Sequence, residues 1–291
     1  MKPYKIASIA ITIISIGAAI IISSCGCKQS NELTPNANTS VIKHNYVVVL
    51  DLSDRLLNPG QAEKDSAMIM AAFNEFEKSA RNPLIVTSND RFAVRIITQY
   101  RSSLLKDNYE NRLNIDLSTV DAAHKNSNFI SFKSSLSKTI SQLYKDAHLG
   151  KSSKDYAGVD IWKFFHDEIN SELRKDAVNK VVVLTDGYFD FNDNSHVIKY
   201  GNTYTSTSFL NELKSKDWQT KAEQGKYGLI PVEINNNVQW VIAGIQPKDG
   251  DILMATKLGY FWNKWLIQSG STKPNIILDN SSSIMVQQYF R

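Results

Sequence analysis

The sequence predicts a doubly wound α/β fold, with a mostly parallel central sheet between two helix layers. Three observations carry that expectation. Tyr46-Val-Val-Val-Leu50, Val181-Val-Val-Leu184 and Trp240-Val-Ile-Ala-Gly-Ile245 are apolar runs without alternation, as strands covered on both faces are. Apolar stripes at helical spacing lie between them. Strand-like and helix-like segments alternate along the chain, which is the order of an α/β domain.

In chain order, Met68, Ala72 and Phe76 form a helical stripe that Asp65 precedes. Phe92, Val94 and Ile96, and then Leu113, Ile115 and Leu117, take every second position, so two half-buried strands nearer the sheet edge are expected there. Phe132, Leu136, Ile140 and Leu143 mark one helix, and Ile161, Phe165, Ile169 and Leu173 another. After the Val181 strand comes a long loop, then the Trp240 strand. Leu258, Trp262, Trp265 and Leu266 form the last stripe, with Asp249 or Asp251 as its expected cap and both tryptophans facing the core. Asn275-Ile-Ile-Leu278 reads as a closing edge strand.

Composition removes several classes of function. The chain has 291 residues, two cysteines and five histidines. That excludes a disulfide-stapled scaffold and a zinc site of four cysteines, and no HExxH supports a histidine zinc site. A net charge of +4 without a basic stripe argues against nucleic acid as a partner. Gly150-Lys151-Ser152 ends like a phosphate loop, but residue 145 is lysine and no strand precedes it. Ser135-Leu-Ser-Lys138 sits inside a helical stripe without its companion motifs, and His166-Asp167-Glu168 reads as a solvated helix face.

The N-terminus reads as an address. Lys2 and Lys5 precede an uncharged apolar run from Ile6 to Ile22, followed by Ser23-Ser24-Cys25. A basic start, an apolar stretch and small residues before a cut site make a secretory signal, and the run is at the short limit for spanning a bilayer. Ile22-Ser-Ser-Cys25 also resembles the lipobox of bacterial lipoproteins. That resemblance implies removal of residues 1–24 and lipidation, palmitate included, at Cys25. Residues 25–43 are polar and read as a flexible tether, and residues 44–291 as the folded domain. A lipid-anchored protein of the bacterial cell envelope follows, with membrane contact through its acyl chains. Gly26 in place of an inner-membrane retention signal favours the outer membrane.

Sheets of this kind bind ligands at the carboxyl ends of their strands, where the strand order reverses. The first strand ends in Asp51-Leu-Ser-Asp-Arg55 and the later one in Thr185-Asp186-Gly187. If those strands are neighbours, Asp51, Ser53 and Asp186 converge as hard oxygen ligands suited to Mg2+ or another divalent cation. The DxS turn, the central helix entered through Ala157-Gly-Val-Asp-Ile161, and the TDG turn together resemble the von Willebrand factor A domain. The resemblance covers residues 44 to about 280. It implies a Rossmann-type three-layer sandwich with a metal-ion-dependent adhesion site that binds a protein partner, whose carboxylate often completes the metal shell.

Two of the family's five metal-site residues differ. Arg55 stands at the second serine of DxSxS, and Val159 stands where a threonine is usual. Two arrangements are therefore open. In one, Arg55 turns away and a weakly held cation sits on Asp51, Ser53 and Asp186. In the other, the Arg55 guanidinium turns in and neutralises Asp51 and Asp186 itself. The partner-binding set expected around this site is Asp54, Arg55, Asp160, Tyr188, Phe189 and Asp190. The segment Tyr188–Ser208 is either a binding loop or a hairpin extending the sheet with its aromatics inward.

The expected function is protein binding at the cell envelope without catalysis. The alternatives are an Mg2+-dependent hydrolase using Asp51, or a structural subunit of an envelope complex whose crevice is unused. The hydrolase is disfavoured because Ser53 occupies the place of a second carboxylate.

Overall fold

The computed structural model describes residues 42–290 apart from 83, 98, 100–102, 192–196, 236, 249–251 and 279–282. The signal segment 1–24, Cys25, nearly all of the tether, and Asp249 and Asp251 as helix caps lie outside the described residues. The regular elements run β1 (His44–Asp51), α1 (Gln61–Arg81), β2 (Arg91–Ile97), α2 (Ser103–Tyr109), β3 (Asn114–Asp116) and α3 (Ala122–Ala147). They continue with α4 (Ile161–Asp167), α5 (Ile169–Glu172), β4 (Val178–Leu184), β5 (Lys199–Tyr200), β6 (Thr203–Tyr204) and α6 (Trp218–Gln224). The last are β7 (Gly228–Leu229), β8 (Val238–Ile245), α7 (Ile252–Gln268), β9 (Asn275–Leu278) and α8 (Ser283–Tyr289).

The central sheet has six strands in the order β3-β2-β1-β4-β8-β9. Only β3 is antiparallel; β1 runs parallel to both β2 and β4, and β8 lies parallel between β4 and β9. Side chains of β1 alternate between two cores. Tyr46, Val48 and Leu50 join Phe73 and Phe76 of α1, Leu136 and Ile140 of α3, and Val286 of α8. Val47 and Val49 face the other way and join Phe165 of α4 with Trp262 and Trp265 of α7. Helices therefore cover both faces, which is why the central strands need apolar residues at consecutive positions. Trp262 and Trp265 are almost wholly buried, and Phe165 packs within 4.9 Å of Trp265. The two tryptophans belong to the core, as their spacing suggests.

Several expectations need correction. β2 lies next to the edge strand β3, near the edge as expected, but it is not half-buried: only Arg95 along it is partly exposed. Its alternation arises because Arg91 and Arg95 sit between the apolar residues while pairing with Glu172, so the charges are covered rather than solvated. Helix α1 starts at Gln61 after Gly60, so Asp65 is inside the helix and does not cap it. The stripe Ile161–Leu173 does not form one helix: α4 ends and α5 begins around Glu168. The segment after β4 contains the β5–β6 hairpin, but with β7 it forms a separate three-stranded sheet instead of extending the central one. Helices α2, α6 and α8 have no counterpart in the sequence pattern. Among the described residues no helix is long and apolar enough to cross a membrane.

Candidate functional site

The strand order turns outward in both directions from the β1–β4 pair, which is the point where α/β sheets open a crevice. Leu50 and Leu184 are register partners, so Asp51 and Thr185-Asp186 leave the sheet side by side. Both ends close with carboxylate-capped turns. The Asp51 Oδ1 accepts from the Ser53 amide at 2.9 Å, and the Asp186 Oδ1 accepts from the Tyr188 amide at 3.1 Å. The Thr185 hydroxyl donates to the Asp51 Oδ2 at 2.8 Å, tying one strand end to the other. Asp51, Ser53 and Asp186 line one crevice of about 260 Å³.

Burial works against ionising both carboxyls. The Asp51 carboxyl is pushed up by burial, against the opposing pull of Arg55 and of hydrogen bonds from Ser53 and Thr185. Asp186 is pushed up to about 7, first by burial and next by the Asp51 charge beside it.

Arg55 follows the inward course only in part. Its guanidinium turns inward but pairs with Asp65 of α1, through two hydrogen bonds of 2.7 and 3.0 Å. It reaches Asp51 only at the backbone carbonyl, at 3.2 Å. Gln61 and Tyr144 donate to the same Asp65 carboxylate at 2.9 Å each. The fork geometry explains the choice: one carboxylate accepts both guanidinium arms, which the two separate strand-end acids could not do. Room for the arginine comes from Gly244 at the β8 irregularity, where φ is +94° and a Cβ would stand 2.9 Å from the Arg55 Nη2. With its side chain 1 % exposed, Arg55 is closed to any partner.

The loop entering α4 forms the opposite wall. Gln99 clamps it to the Asp51 turn, donating to the Leu52 carbonyl at 2.6 Å and accepting from the Ala157 amide at 3.0 Å. Gly158 pairs with Phe191 across an isolated bridge. A Cβ at Gly158, where φ is +74°, would stand 2.4 Å from the Asp190 carbonyl, so glycine is what lets the two loops touch. Val159 lines the crevice with an apolar side chain where the resemblance calls for a hydroxyl. Asp160 does not line it; its Oδ1 accepts from the Lys163 amide at 2.8 Å and caps α4.

The other expected contact residues divide. Asp54, Tyr188 and Asp190 stand around the crevice. Phe189 points into the core, 4.6 Å from Trp262 and 4.9 Å from Trp265 ring to ring, so it is a packing residue and not a contact. The inward aromatics of the hairpin alternative are found, among the described residues, at Phe189 and Tyr204. Lys248, which sequence reasoning missed, also lines the crevice, with its Nζ 3.6 Å from the Asp54 Oδ1 and 5.0 Å from the Tyr188 ring centre. It follows β8, the neighbour of β4, and the same strand-end rule applied to β8 would have found it. Thr185 was visible as part of TDG, but its bond across to Asp51 was not.

A divalent ion would find few free donors here. Asp51 already accepts a bond at each oxygen, Arg55 and Val159 supply no ligand, and Lys248 brings its own positive charge. Among the described residues no group of three or more His, Cys, Asp or Glu is arranged to hold a metal. Asp54 and Asp190 also stand around the crevice, but Lys248 shares it with them, so the residues do not fit a dedicated metal centre. A larger cavity of about 810 Å³ lies at the opposite end of the sheet, beside Asn179, Asn235, Trp240 and Lys273. Among the described residues no carboxylate lines it, and it sits at the amino ends of the strands, away from the convergent groups.

No family model matches the chain, and no curated protein matches it. Among solved structures, the pilus adhesin SpaC from Lactobacillus rhamnosus GG in its open conformation is similar at 11% identity and a TM-score of 0.41, over 86% of this chain. A second crystal form of SpaC gives 10% identity and a TM-score of 0.38 over the same share. This chain spans 29% and 30% of the length of those two adhesin chains.

Proposed function

We propose that this protein is a lipid-anchored envelope protein whose von Willebrand A-like domain binds a protein partner at the β1–β4 crevice. The observation that carries the reading is the convergence of Asp51, Ser53 and Asp186 at the point where the strand order divides. The antiparallel β3 edge and the helix layers on both faces agree with the resemblance. Anchoring at Cys25, with residues 25–43 as tether and the outer membrane as location, rests on the N-terminal sequence.

The rim suits protein contact. Tyr188 offers a ring with a polar tip, Asp54 and Asp190 offer carboxylates, and Tyr156 and Lys154 line the facing wall. The hydrolase alternative is weaker, because Asp51 is 1 % exposed and both its oxygens are held by Ser53 and Thr185, leaving no free nucleophile. A photo-crosslinking amino acid at position 188, compared with one at position 273 in intact cells, tests the reading. Discrete protein adducts from 188 and none from 273 are expected. The same adducts from both positions, or none from 188, would contradict it.

A further inference from the structure

Asp51 and Asp186 are buried side by side, and each charge they take on is costly without a cation nearby. Arg55 draws Asp51 down from the inner side, with its guanidinium held on Asp65. Lys248 supplies a cation on the crevice side. Its backbone amide donates to the Tyr188 hydroxyl at 3.3 Å, and its ammonium lies 5.0 Å from the centre of the same ring. Tyr188 therefore holds the lysine at both ends, in a cation–π geometry at the tip. The side chain is 44 % exposed and its Nζ lies 3.6 Å from the Asp54 Oδ1, so it enters the crevice from the solvent side. Burial works against the ammonium, but the charges of Asp186, Asp54, Asp190 and Asp51 together outweigh it and hold the proton more firmly than in a free lysine.

We propose that Lys248 is the resident cation of the crevice, taking the position from which a divalent ion would neutralise Asp51 and Asp186, so that the site works without metal. An ammonium brings three donors and one charge on a flexible stem. It satisfies the acids at the rim and repels a second cation. This inference rests on the crevice being the partner site, and it adds that chelators leave that site intact.

Titration of the full-length chain with Mn2+ alone, by calorimetry and Mn2+ spin resonance, tests it. The wild type should show no stoichiometric uptake tighter than about 1 mM, the weak limit of extracellular cation sites. Lys248→Met keeps the stem and removes the charge, and should bind Mn2+ at least about tenfold tighter, about 1.4 kcal/mol. Lys248→Arg should behave as wild type, and Lys248→Met with Asp186→Asn should lose the gain. Stoichiometric uptake by the wild type tighter than about 1 mM, or no gain in a folded Lys248→Met chain, overturns the proposal. If the methionine variant does not fold, Lys248→Gln takes its place with the same two outcomes. The readout involves no partner, so it can fail while crosslinking at position 188 succeeds, and the reverse.

Discussion

Asp65→Ala is expected to destabilise the protein by about 3–5 kcal/mol, the range for breaking one half of a buried ion pair. Asp65 and Arg55 are each about 1 % exposed at their side chains, and Asp65 accepts from Arg55, Gln61 and Tyr144. Removing the carboxylate leaves a guanidinium without its partner in a space that water does not reach. Burial alone would weaken the Arg55 proton, but Asp65 outweighs it and holds the arginine firmly charged, so losing the proton is no escape. A domain of this size has about 5–15 kcal/mol in total, so the loss is a large share. Urea unfolding at neutral pH measures it, and a loss below about 1 kcal/mol contradicts the account. Replacing both partners at once, with Arg55→Met and Asp65→Leu, should recover most of the stability. The cost of the single change is that of an orphaned charge and not of a missing contact. Because Arg55 also donates to the Asp51 carbonyl, the single variant should loosen the crevice turn as well.

Asp186→Asn is expected to stabilise the protein above neutral pH and to change little near pH 4. Ordinary aspartate ionises near 3.8, whereas burial and the neighbouring Asp51 push Asp186 up to about 7. Between those values the folded chain keeps a proton that the unfolded chain has released. The folded state therefore binds more protons there, so stability falls as pH rises through the window and levels off above it. A tenfold change in a proton's binding constant is worth about 1.4 kcal/mol, giving a difference of about 2–4 kcal/mol at pH 8 between variant and wild type. The amide keeps the shape and still accepts from the Tyr188 amide, so the difference isolates the charge. Unfolding at pH 4 and pH 8 checks it. An equal effect at both values, or a loss at pH 8, contradicts the ionisation assigned to Asp186.

Much of this site was legible because its signals are local. The β1, β4 and β8 strands appear as unbroken apolar runs since both faces are covered, and Asp51, Ser53 and Asp186 follow from where those runs stop. What the sequence hides is pairing across distance. Asp65 reads as a helix start, but its position one turn inside α1 brings it against Arg55, ten residues earlier. Lys248 has no local pattern and matters only because β8 lies beside β4. The inward turn of Phe189 depends on Trp262 and Trp265, more than seventy positions away. Alternation made β2 read as half-buried because Arg91 and Arg95 look solvated until Glu172 covers them. The short helices α2, α6 and α8 carry seven residues each, too few for a stripe to stand out.

The central claim is that Asp51 and Asp186 share one crevice closely enough to feel each other. Titration of the Asp186 carboxyl carbon by NMR, in wild type and in Asp51→Asn, tests this most directly. The account predicts a wild-type midpoint of about 7 and a fall of at least about one pH unit when the neighbouring charge is removed. A wild-type midpoint near the ordinary 3.8, or one that Asp51→Asn leaves unmoved, would contradict it.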